Sequence, residues 1–256
     1  MSVEFGIKHA VLDKKKMTWP QVAFLGGHTD DDAMFRLTGK LSEFGFGVTI
    51  ITLTNSNARD LPGYEPDKLA DVRWDEAYSS GESTGVTEVW RFESPDGNLD
   101  DHLEEGIIFA NEVVEELDPI ALITPHGGDK HRDHRATKYI GSEVAGRKHP
   151  RYTTDTISGY DRFRNKLWPH LYVPLSSELA EQEIKGYLAN ESQVTNLPPL
   201  EVREVQRVID MTARRGREIN LAHAAVLFDA RNTKSSPLRE ILKPVTVYHS
   251  KIVARR

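Results

Sequence analysis

The sequence has no cysteine among its 256 residues. That absence removes disulfides, a thiolate nucleophile and cysteine-ligated zinc, so any metal must be held through nitrogen and oxygen. Long hydrophobic runs are missing too: no stretch approaches the roughly 20 apolar residues that span a bilayer. Residues 1–17 lack the sustained apolar segment of a secretory signal and carry Lys14-Lys15-Lys16 instead. A cytoplasmic chain without a membrane span is expected. Positive charge is outnumbered, with 33 Lys and Arg against 39 Asp and Glu and a formal net charge of -6. A phosphate backbone would be repelled more than attracted, and nucleic acid is not an expected partner. What remains, 38% hydrophobic and 28% charged residues, is the composition of an ordinary globular protein. The length predicts one domain over residues 1–256, with a core from about residue 20 to 228 and an extension from 229 to 256.

Apolar runs and helical spacings alternate. Val22-Ala23-Phe24-Leu25 reads as a buried strand stopped by Gly26-Gly27. Asp30 to Asp32 then open a helix running to about Gly45, and Val48 to Leu53 is a second strand rich in β-branched residues. The pattern repeats through a helix at Leu69 to Ser79, a strand at Val86 to Phe92, a helix at Leu103 to Leu117 and a strand at Ile120 to Thr124. Beyond these, Arg135 to Val144, Glu178 to Ala189 and Val202 to Phe228 read as helices, Tyr152 to Leu175 as loop and short strand, and Asn190 to Leu200 as a linker. Such alternation predicts an α/β, Rossmann-like fold: a mostly parallel sheet with helices on both faces and right-handed crossovers. Ligands in such sheets sit beyond the carboxyl ends of the strands.

Two segments occupy that position: Gly27-His28-Thr29-Asp30-Asp31-Asp32 and Pro125-His126-Gly127-Gly128-Asp129-Lys130-His131-Arg132-Asp133-His134. A hydrolytic divalent ion needs about three protein ligands and an open position. His28 and Asp31 can converge across the strand-to-helix turn, and His134 completes the set. Asp30 is then free to act as general base, His131 to donate to a developing oxyanion, and Asp133 to orient that imidazole. Taken alone, three aspartates at a helix start read as caps, and His28 just before them shifts the balance.

These segments resemble the signatures Ala-His-Pro-Asp-Asp-Glu and His-Pro-Asp-His-Arg of the PIG-L/LmbE-like metal-dependent de-N-acetylases. The resemblance implies zinc, or Fe2+ or another divalent metal, on His28, Asp31 and His134, with Asp30 as base and His131 on the carbonyl oxygen. It extends to Asp71-Val72-Arg73 with Glu76-Ala77, to Phe92-Glu93-Ser94-Pro95-Asp96-Gly97, and to Lys185 followed by Ser192-Gln193. It further implies that Arg73 and Asp96 bind substrate, and that the activity is removal of an N-acetyl group from an N-acetylglucosamine-type sugar or conjugate. Three positions depart from the signatures: Thr29 and Arg132 stand where the family has Pro, and Asp32 where it has Glu.

Other readings stay open at this level. Two histidines and a carboxylate also form the triad of non-haem iron(II) enzymes, and a non-catalytic sugar-binding relative would keep the same scaffold. Arg73 can equally pair with Asp71 or Glu76 along its helix, Asp96-Gly97 is a common turn pair, and His126 can line a pocket or serve structure. Tyr160, Trp168 and Tyr172 are candidates for a substrate wall or for the core. The expected partner is a small amino-sugar substrate, with association into a homo-oligomer left open.

Overall fold

The computed structural model describes residues 6–31, 37–57, 64–126, 129–146, 148–154, 169–194, 200–218, 220–231, 236–242 and 247–248. Their strands are β1 (Ile7–Val11), β2 (Gln21–Gly26), β3 (Gly47–Thr52), β4 (Glu88–Phe92), β5 (Ala121–Pro125), β6 (Arg151–Thr154), β7 (Leu171–Leu175), β8 (His223–Arg231) and β9 (Val247–Tyr248). They form one sheet in the order β1-β4-β3-β2-β5-β6-β8-β7-β9. The run from β4 to β6 is parallel, whereas β1 and the flank β8-β7-β9 join antiparallel. The sheet is therefore mixed, with its parallel part in the middle.

Alternate residues of the central strands enter two apolar layers. Val22, Phe24, Val48, Ile50 and Ile123 face Leu37, Leu41 and Leu179, while Ala23, Leu25, Ile51, Leu53 and Leu122 face Phe109, Val113 and Ile140. Strands apolar on both faces must be covered on both faces. Among the described residues α1 (Thr38–Glu43) and α5 (Ser177–Leu188) belong to the first layer, and α3 (Leu103–Leu117) and α4 (Arg132–Ala145) to the second. The long α2 (Pro66–Thr84) takes Pro at its start, where no N–H is needed, and ends on Gly85 at φ 79°. Burying each large aliphatic side chain in these layers contributes about 1.5–3 kcal/mol.

The C-terminal third departs from the sequence expectation. Val202 to Phe228 is not one helix: α7 (Leu200–Glu218) stops, Asn220 turns the chain at φ 61°, and β8 follows. Ala224 to Phe228 are buried between β6 and β7, and a strand covered on all sides loses the alternation that would distinguish it from a buried helix. The short α6 (Glu191–Val194) and α8 (Pro237–Leu242) complete the described helices. Asp32, Tyr160 and Trp168 lie outside the described residues. Tyr172 belongs to the core, fully buried with its hydroxyl donating to Glu218 Oε2 at 2.8 Å.

Candidate metal centre at the ends of the parallel strands

The loops after β2, β4 and β5 meet at the carboxyl end of the parallel strands. In the first, the N–H groups of Gly27 and His28 donate to Asp31 Oδ2 at 2.6 and 3.0 Å, folding the carboxylate back over the strand end. Asp31 Oδ1 is left buried with no hydrogen-bond partner among the described residues. It lies 3.1 Å from His134 Nε2. Gly26 is needed for this approach, since a Cβ there would stand 2.9 Å from Asp31 Cβ, and Gly27 is tightly packed, a Cβ there standing 3.2 Å from His134 Cδ2.

The second loop leads into α4, whose first turn carries Asp133 and His134. Asp129, fully buried, accepts the His131 N–H through Oδ1 at 2.9 Å and faces His134 Nδ1 through Oδ2 at 2.7 Å. His28 is held in the same way, its Nε2 lying 3.1 Å from Asp133 Oδ2 and 3.1 Å from Asp96 Oδ1. Each imidazole faces a carboxylate through one nitrogen, so that in the neutral ring the N–H goes to the carboxylate and the lone pair to the other nitrogen. Those nitrogens, His28 Nδ1 and His134 Nε2, face each other at 3.2 Å.

With both rings neutral, two lone pairs and the Asp31 carboxylate oxygen would converge in a buried place and repel one another unless positive charge lay between them. A tetrahedral zinc site with bonds near 2.05 Å places its ligand atoms about 3.3 Å apart. The observed separations are 3.2 and 3.1 Å, with 3.8 Å between His28 Nδ1 and Asp31 Oδ2. The donor set fits a divalent cation. Three overlapping triplets have ligand atoms within 4.8 Å of one another, His28 with His131 and His134, with Asp30 and Asp31, and with Asp96 and Asp133, so His28 is common to all.

Protons answer the same electrostatic demand. Burial opposes charge on His134, but Asp31 and Asp129 outweigh it and lift its pKa to about 9. His28 is raised well above its ordinary value: burial opposes it, and hydrogen bonds to Asp133, Asp31 and Asp96 prevail. Asp31 is held well below the usual carboxylate range; burial works against ionisation there, and His134 and His28 overcome it. Asp30 moves the other way, pushed up by burial and by the charge of Asp31 beside it. Burial, with His28 and His134 close by, lowers the pKa of the half-exposed His131, which favours its neutral form.

Asp133, read from the sequence as the partner of His131, lies 3.9 Å from that ring and is engaged elsewhere. It accepts the N–H groups of Gly97 and Leu99 at 2.7 and 3.0 Å, besides facing His28. The loop after β4 is thereby fixed to α4 with Asp96 at the site. Arg73 is buried, donates to the Ser56 carbonyl and lies 3.7 Å from Asp96 Oδ2. Its helix neighbour Asp71 pairs with Lys8, and Glu76 accepts both the N–H and the hydroxyl of Ser192. Arg132 pairs with Asp100 at the rim, and His126 packs against Phe228 at 4.9 Å. Sequence reasoning missed Asp129 and Ser56. The only signal for Asp129 was its place in the second motif, two residues before His131.

Residues 23–145 match the model of the PIG-L family, described as GlcNAc-PI de-N-acetylase. Over that segment, a little under half of the chain, the sequence is similar to the PIG-L family. The matched region spans all the site residues above except Ser192. A comparison with curated proteins gives no match. Among solved structures the chain is similar to N,N'-diacetylchitobiose deacetylase from Pyrococcus horikoshii, at 15% identity, covering 89% of this chain and 91% of that one with a TM-score of 0.71. It is also similar to teicoplanin deacetylase in a zinc-inhibited form, at 14% identity over 83% and 99% of the chains with a TM-score of 0.67. A third neighbour, the 4-carboxy-2-hydroxymuconate hydratase GalB from Pseudomonas putida, matches at 13% identity over 82% and 96% with a TM-score of 0.66. At these identities the likeness establishes the fold, and the fold carries both hydrolysis and hydration.

Proposed function

We propose that this chain is a metal-dependent hydrolase that removes the N-acetyl group of an N-acetylglucosamine-type sugar or conjugate. The observation that carries the reading is Asp31 Oδ1, buried and without a hydrogen-bond partner among the described residues, 3.1 Å from His134 Nε2, which itself lies 3.2 Å from His28 Nδ1, each ring being held by a carboxylate through its other nitrogen. The PIG-L segment supports the acyl chemistry, and the deacetylase neighbours support a sugar amide as substrate.

His28, Asp31 and His134 would hold the ion, with zinc the first candidate for two nitrogens and an oxygen. When bound, such an ion supplies Lewis acidity to the scissile carbonyl and lowers the pKa of adjacent water towards about 7. Asp30, its carboxyl raised towards neutrality by burial and by Asp31, takes a proton from the attacking water and returns it to the leaving nitrogen. Amide and water thus become amine and acetate. His131, held neutral, keeps an N–H to donate to the oxygen on which charge develops. Asp133 and Asp129 orient the metal-binding imidazoles. Arg73 and Asp96 bind substrate hydroxyls beside them.

Asp30→Ala tests the reading: it is expected to keep its metal and lose turnover of an N-acetylglucosamine conjugate by about 10²–10⁴-fold, whereas His134→Ala loses both. Unchanged amide hydrolysis by Asp30→Ala would overturn the mechanism.

A further inference from the structure

Ser56 is the one buried, non-glycine residue beside the site whose backbone is left-handed among the described residues, at φ 60° and fully enclosed. A serine there is unfavourable where glycine would be at ease, so its side chain is expected to contribute something glycine cannot. Its contacts show what. Ser56 Oγ accepts the N–H of Thr29 at 2.9 Å, and its carbonyl accepts from Arg73 Nη1. Just upstream, Leu53 N–H donates to the Gly26 carbonyl at 3.0 Å and Thr54 Oγ1 to the Gly27 carbonyl at 2.7 Å. Residues 53–56 therefore run along residues 26–29 and continue the β2–β3 ladder with side chains after its strands have ended. Thr29 sits between the metal-site histidine and the expected base, and stands where the family signature has a proline, which brings no N–H. Here the N–H is present and buried, and Ser56 satisfies it.

We propose that Ser56 is a positioning residue of the metal centre: by taking the Thr29 N–H it fixes the turn bearing His28, Asp30 and Asp31, and by the same backbone conformation it seats Arg73. Its effect on turnover rests on the function proposed above; its effect on the turn does not.

Ser56→Gly separates the two contributions, because glycine keeps the left-handed backbone and removes only the hydroxyl. Three quantities are read on the full chain: amide hydrogen exchange at Thr29, affinity for Zn2+ by chelator competition, and kcat on an N-acetylglucosamine conjugate. The expected result is Thr29 exchange faster by about tenfold or more and Zn2+ affinity weaker by about tenfold, even if the melting temperature rises. Adding Thr29→Pro, which deletes the N–H, is expected to return Zn2+ affinity to within about threefold of the parent. Zn2+ affinity within about twofold of the parent in Ser56→Gly overturns the proposal. So does a folded double variant that binds no better than Ser56→Gly. If exchange and Zn2+ binding change as expected while neither parent nor variant cleaves any amide, Ser56 retains its role and the proposed function fails.

Discussion

Asp129 offers a sharp test of how the site is held, because both of its carboxylate oxygens are engaged, each by a different histidine. One receives the His131 N–H at 2.9 Å and the other faces His134 Nδ1 at 2.7 Å. Asparagine in its place has a single oxygen. If that oxygen stays on the His131 N–H, the amide NH2 meets His134 Nδ1, which must then become an acceptor, and the ring proton moves to Nε2. Nε2 is the atom 3.2 Å from His28 Nδ1 and 3.1 Å from Asp31 Oδ1, and a protonated nitrogen cannot ligate. If the amide turns over, the part-buried His131 N–H that precedes α4 loses its acceptor instead. Asp129→Asn is therefore expected to weaken Zn2+ binding by about 10–100-fold, or about 1.4–2.7 kcal/mol. Chelator competition with zincon or a fluorescent indicator reads this directly. Asp129→Ala, which leaves room for water to accept from Nδ1, should be no worse than Asn at the metal while losing more stability. Zn2+ affinity within threefold of the parent for Asp129→Asn would refute the assignment of Nε2 as the ligand atom.

Three further outcomes follow from the same geometry. His134 has its pKa raised to about 9 in the metal-free chain, and metal ligands must be deprotonated to bind. At pH 7.5 metal uptake should then release at least one proton, with apparent affinity rising about tenfold per pH unit for each proton displaced until about pH 9. Calorimetric titration in buffers of different ionisation enthalpy counts the protons, and a pH-independent affinity from 6.5 to 9 would contradict the reading. Stability of the metal-free chain runs the other way. The contribution from a raised histidine is complete below about pH 6.5 and lost as pH passes about 9, so chelated protein should melt earlier at pH 9 than at 6.5. Gly27→Ala places a methyl 3.2 Å from His134 Cδ2, and is expected to lower Zn2+ affinity by about tenfold or more with little change in far-UV circular dichroism.

The parallel strands were legible because their chemistry is local. Val22 to Leu25, Val48 to Leu53 and Ile120 to Thr124 are short apolar runs closed by glycine, polar or proline residues, and each forms the strand expected of it. β1 was not read: it is an edge strand with one partner, and its five residues include the half-exposed Lys8 and Ala10 and the exposed Ile7 and His9. β8 was merged into the preceding helix because Ala224 to Leu227 carries no alternation. The residues now seen to converge at the site were visible as two motifs. What sequence could not supply was the pairing between them. Nothing in the order of residues says that Asp133 turns to His28 rather than to His131, or that Ser56 meets Thr29. The first is decided by the packing of α4 on the sheet, the second by the register of β3 on β2.

Every candidate ligand among the described residues lies between His28 and His134, on the loops that follow the parallel strands or in the first turn of α4. The described residues of the antiparallel annex from β7 to β9 contribute none. An architecture so divided lets the second half of the chain be lengthened, shortened or resculpted by evolution without disturbing the candidate site. Divergence in the molecule being acted upon would then concentrate there, while the chemistry stays written in the first half.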